Sequence, residues 1–110
     1  MNMNYGKTKR GFALITFTDR YGVECSLQKS SMAFESAIWL GPSEAQPKIL
    51  ASMTKALGVE TDQTTGWVPY PIPEAVSLTT RMHLTQNQVK ELLPILQHFA
   101  ETGELPRELP

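Results

Sequence analysis

Cysteine is almost missing from this sequence: one occurs in 110 residues, at position 25. A single thiol excludes an intrachain disulfide and any metal site built on paired cysteines. An excess of one charge is missing too, with ten basic residues against eleven acidic and a formal net charge of -1. No global field results, so sequence-specific binding of duplex DNA is not expected. No stretch approaches the ~20 consecutive apolar residues that a membrane helix needs. The first ten residues are polar and lack the apolar middle of a signal peptide, which reads as a cytosolic chain. The seven glycines are dispersed and form no phosphate loop, and no Gly-x-Ser-x-Gly elbow occurs. The two histidines, His83 and His98, fall on different predicted elements, so zinc would need carboxylates recruited from far away. A set of Ser30 or Ser31, His83 and Glu24 can be assembled on paper, as in any chain with this many serines. The reading is therefore of a protein that is not an enzyme and holds no cofactor.

What is there points to an α+β domain. Hydrophobic residues make up 41% of the chain and charged residues 19%, enough for one modest core and too little charge for a self-repelling coil. The spacing predicts a flexible polar lead-in over residues 1–10, one domain over 11–104 and a proline-containing tail over 105–110. Residues 11–18 are rich in β-branched and aromatic side chains, and 23–28 alternate apolar and polar. Between them Asp19-Arg20-Tyr21-Gly22 supplies an acidic turn starter and a glycine, which together make a β-hairpin. The apolar run 37–40, closed by Gly41 and Pro42, reads as a third strand. Residues 48–57 carry helical spacing through Ile49, Leu50, Met53 and Leu57. Residues 66–73 hold prolines at alternate positions and cannot form a central strand. Alternation over 76–84 predicts another strand. Thr85 and Gln88 then form a capping box before a stripe of Val89, Leu92, Leu93, Leu96, Phe99 and Ala100, interrupted by Pro94. The expected architecture is a small, mainly antiparallel sheet packed against a C-terminal amphipathic helix.

Two surfaces could carry function. If the strand at 23–28 and the strand at 76–84 share a sheet, its polar face collects Glu24, Ser26, Gln28, Thr79, Arg81 and His83. Arg81 offers a planar fork of donors for carboxylate or phosphate, and His83 can donate, accept or stack. The plainer account is a sheet face left wet, with Arg81 paired to Glu24 or Asp19. The second surface is the stiff segment with Trp67 and Tyr70, either an interface or a cap on the core edge. Charged and aromatic residues at the hairpin tip, Asp19, Arg20 and Tyr21, could join it. Cys25 shares its face with Val23 and Leu27 and reads as a small buried apolar residue. Unpaired sheet edges and a generous apolar content predict a homo-oligomer, a dimer or higher.

Several stretches carry a resemblance. They are Phe17-Thr-Asp-Arg-Tyr-Gly22, Cys25-Ser-Leu-Gln-Lys-Ser-Ser31, Ala37-Ile-Trp-Leu-Gly41, Arg81-Met-His-Leu84, and Leu92-Leu-Pro-Ile-Leu96 with Phe99, Thr102 and Gly103. This set resembles a group of small accessory proteins encoded by phages and prophages, over most of the chain from Phe12 to Leu105. The resemblance carries over no catalytic residue. It implies an accessory role, such as countering host immunity by sequestering a nucleotide signal or by binding and inhibiting a host defence protein. For a cyclic nucleotide signal, Arg81 would meet phosphate while His83, Tyr21 or Trp67 meets a base. The alternative is a structural or assembly component of the phage particle, which its presence in purified particles would reveal.

Overall fold

A computed structural model describes residues 1–109. Its elements in chain order are β1 (Asn4–Lys7), β2 (Ala13–Thr18), β3 (Glu24–Lys29), β4 (Ala37–Pro42), β5 (Lys48–Leu50), β6 (Trp67–Pro69), β7 (Met82–Thr85) and α1 (Gln86–Thr102). The chain divides into two compact units: Met1–Ser43 together with Arg81 onward, and Glu44–Thr80.

The first unit is a five-stranded antiparallel sheet in the order β1-β2-β3-β4-β7, followed by α1. The fold is α+β, with the C-terminal helix packed on the sheet. At the β2–β3 tip the Asp19 Oδ1 accepts from the Tyr21 and Val23 amides at 2.8 and 3.0 Å. Gly22 takes φ 78°, a left-handed conformation that any Cβ would strain. Local chemistry thus makes this hairpin, and the long-range partners add strands to it. β1 is the case in point. Its residues, expected as a flexible lead-in, pair with β2 from Asn4↔Thr16 to Lys7↔Ala13. Four polar or small residues make no strand by themselves; the edge of β2 supplies the ladder bonds.

Direct pairing sorts the side chains onto two faces. One row runs Tyr5, Ile15, Leu27, Leu40 and Met82 across all five strands. The opposite face carries Leu14, Gln28, Trp39 and His83 in one row, and Thr16, Ser26 and Gly41 in the next. β7 is shorter than the alternation predicts. Residues 82–85 pair with β4, whereas residues 76–81 alternate without a neighbouring strand, and period alone cannot make a ladder.

Thr85 ends β7 and caps α1. Its Oγ1 accepts from the Gln88 amide at 3.1 Å, and its own amide donates to the Gln88 Oε1 at 2.9 Å. Gly103 closes the helix in the left-handed conformation, donating to the Phe99 carbonyl at 2.8 Å. Pro94 sits inside the helix without ending it. Val89 and Leu93 lie beside Ala37, Ile38 and Leu84, which is where α1 meets the sheet.

In the second unit β5 and β6 form a two-stranded antiparallel sheet with Ile49 opposite Val68. Ile49, Ala51 and Val68 are its buried core, with Val59 and Tyr70 packed against them. The helix expected over 48–57 is absent. β5 is followed by a short 3-10 turn at Ala51–Met53, because Ile49 and Leu50 take partners in β6 instead of in the next turn. Among the described residues no helix is long and apolar enough to cross a membrane, and no cluster of three metal-ligating side chains occurs.

Candidate functional site

Cross-strand pairing places Gln28, Trp39 and His83 side by side on one face of the sheet. The His83 imidazole lies flat on the Trp39 indole, with ring centroids 3.8 Å apart and planes 7° from parallel. A hydrogen bond of 2.9 Å joins His83 Nε2 to Ser30 Oγ, which fixes the imidazole's rotation on the indole. Ser30 is buried, and it lies just beyond the end of β3, continuing the alternation of Glu24, Ser26 and Gln28.

Arg81 immediately precedes β7 and reaches back over the same platform. Its Cζ stands 5.6 Å from the centroid of a Trp39 ring, within cation–π range. Its Nη1 donates to the Gln28 Oε1 at 2.8 Å and, more weakly, to the Ser26 Oγ at 3.4 Å. All these partners are neutral. Among the described residues the guanidinium is therefore oriented without being neutralised, and it is only half-buried.

The structure brings together Ser26, Gln28, Arg81 and His83, as the alternation predicts. Arg81 bonds to Gln28 and Ser26 instead of pairing with Glu24 or Asp19. Glu24 is on the same face but at the start of β3, opposite Thr18. Thr79 lies in the second unit, exposed and outside any strand, because β7 begins only at Met82. In that unit Trp67 is 61% exposed opposite Leu50, and Tyr70 is half-buried against the local core. At the hairpin tip the Asp19 carboxylate is occupied in holding the turn, while Arg20 and Tyr21 are exposed.

Trp39 and Ser30 were not among the sequence candidates for this face. Trp39 was hidden inside an apolar run that reads as buried. Pairing Gln28 and His83 on either side of the third strand would have assigned its ring to the polar face. The short Ser30–His83 distance has the form of a nucleophile and base, yet Glu24, at the far end of β3, is about 20 Å along the strand from Ser30. No triad forms. Cys25 is buried on the opposite face, and burial, with the Asp19 carboxylate as a lesser cause, holds its thiol above its ordinary pKa.

Compared with known proteins, the chain matches no family model, no curated protein and no solved structure.

Proposed function

We propose that this protein is a non-enzymatic binder of phage origin that sequesters a nucleotide signal in the cytosol of the infected cell and so counters host immunity. The observation that carries this reading is the un-neutralised Arg81 guanidinium held over a Trp39–His83 stack. A nucleotide presents an anion and a flat base together, and this face offers a fork of donors and a flat aromatic surface together. Ser26 and Gln28 add polar contacts beside the guanidinium. Sequestration, as distinct from turnover, fits a site in which His83 is committed to stacking on Trp39 and the Oγ of the buried Ser30 is bonded to its ring.

Titration of the purified protein with a panel of cyclic di- and trinucleotides, followed by calorimetry, tests the reading. Saturable heat with at least one member, lost in Arg81→Ala, is the expected result. Absence of heat across the panel overturns it. The second reading, inhibition of a host defence protein by direct binding, is favoured by two exposed aromatics, Tyr21 at 89% and Trp67 at 61%. It predicts that Tyr21→Ala or Trp67→Ala, and not Arg81→Ala, releases a protein captured from infected cells.

A further inference from the structure

Phe12 immediately precedes β2 and continues its alternation, so its side chain falls on the face of Leu14 and Thr16. That is also the face of Gln28, Trp39 and His83. A tight turn brings Arg10 back onto it. The Gly11 amide donates to the Thr8 carbonyl at 2.9 Å, and the Thr8 amide donates to the Phe12 carbonyl at 2.8 Å. The Arg10 guanidinium then stands with its Cζ 5.5 Å from the centroid of the Phe12 ring. One face of the sheet thus holds two arginines set over aromatic rings, Arg10 over Phe12 and Arg81 over Trp39. Among the described residues neither guanidinium is paired with a carboxylate. Glu24 opens β3 opposite Thr18, at the end of β2 away from Phe12.

Each pair matches one nucleotide unit, with a guanidinium for the phosphate and a ring for the base. Leu14 and Trp39 share a row, so Phe12 and Trp39 lie two strands across and two residues along from each other. Their backbones are therefore about 12 Å apart, too far for one base to touch both rings. Charge decides how the two units are joined. A cyclic dinucleotide carries one negative charge on each of its two phosphodiesters, and the face offers one guanidinium to each. A nucleoside triphosphate gathers its charge at one end, which two separated arginines do not match. We infer that the nucleotide bound by this face is a cyclic dinucleotide. One of its units is taken by Arg81 with the Trp39–His83 stack, the other by Arg10 with Phe12. The inference rests on the nucleotide-binding reading above and adds Arg10 and Phe12 to its site. Because the two units are covalently linked, the second contact forms at a high effective concentration that single-base nucleotides lack.

Calorimetry of the full chain tests this inference, with cyclic di-AMP and cyclic di-GMP as two-unit probes and cyclic AMP, cyclic GMP and ATP as single-base probes. At least one cyclic dinucleotide should bind about tenfold or more tighter than every single-base probe. Arg10→Ala should weaken that dinucleotide by about tenfold or more, and Arg10→Lys should recover only part. Phe12→Leu, which keeps apolar bulk and removes the ring, should weaken it in the same direction. Arg10 is exposed, so the melting temperature of Arg10→Ala should stay near that of the wild type, and loss of binding is then not loss of fold. A single-base probe that binds as tightly as the dinucleotides, or a dinucleotide indifferent to Arg10→Ala, would overturn this inference and leave the nucleotide reading standing. Absence of heat with every nucleotide would overturn both.

Discussion

Arg81 spends one nitrogen on Gln28 and Ser26 and lays its plane near Trp39, so the rest of its donor fork points to no acidic partner among the described residues. Truncating it should cost little stability, about 1 kcal/mol for the lost hydrogen bond, because no buried charge is left unpaired. Its cost to ligand binding should be larger. Arg81→Ala should weaken nucleotide binding by about tenfold or more, and Arg81→Lys should recover only part, since an ammonium lacks the planar fork. Calorimetry and thermal melting on the same samples separate the two effects; a large fall in melting temperature with binding retained would make Arg81 a structural strut. Cys25 allows a prediction of pH dependence. Its folded pKa lies above the unfolded one, so the neutral thiol contributes stability that is complete below the unfolded pKa and is lost as pH rises through the folded value. The wild-type chain should therefore lose stability in the alkaline range more steeply than Cys25→Ala, as read from urea melts at stepped pH. Alkylation by iodoacetamide at neutral pH should be slow until the chain is unfolded.

The α1 cap is a local device and can be tested as one. Thr85→Ala removes the acceptor for the Gln88 amide and should cost about 1 kcal/mol, while Thr85→Asn or Thr85→Asp should restore most of it. Denaturant melts give the number, and an unchanged midpoint would mean that the first turn is held by Gln86, whose amide donates to the Ser36 carbonyl at 3.0 Å. The elements that sequence made legible are all of this kind. The Asp19-to-Gly22 hairpin and the Thr85–Gln88 capping box are written within a few residues, and both are found. Elements that depend on distant partners were illegible. β1 exists because β2 offers an edge, β5 replaces a predicted helix because Val68 pairs with Ile49, and the strand expected from residue 76 begins at residue 82 where β4 ends its pairing. The candidate site divides the same way. Alternation within β3 found Ser26 and Gln28, whereas the place of Trp39 between Gln28 and His83 required the register of three strands.

At the scale of the chain, burial is thin. Among the described residues no large side chain is fully buried, and the buried apolar set is Cys25, Ala37, Ile49, Ala51 and Val68. Three of those five form the core of the second unit, where two three-residue strands carry the only ladder. Two cores of such different support should open at different free energies, since local opening depends on how much apolar contact and hydrogen bonding each segment must give up. Native-state hydrogen exchange should then resolve two sets of amides. The central strands β2, β3 and β4, each paired on both sides, should exchange last. The β5 and β6 amides should exchange earlier and by a separate opening. Val68→Ala sharpens the test: losing two methyl groups from a buried position should cost about 1–2 kcal/mol, all of it in the second unit. Exchange of the β5 and β6 amides should accelerate by about tenfold or more while the β3 amides keep their rates. Equal acceleration of both sets would show that the chain opens only as a whole, and that residues 44–80 draw their stability from the same cooperative transition as the five-stranded sheet.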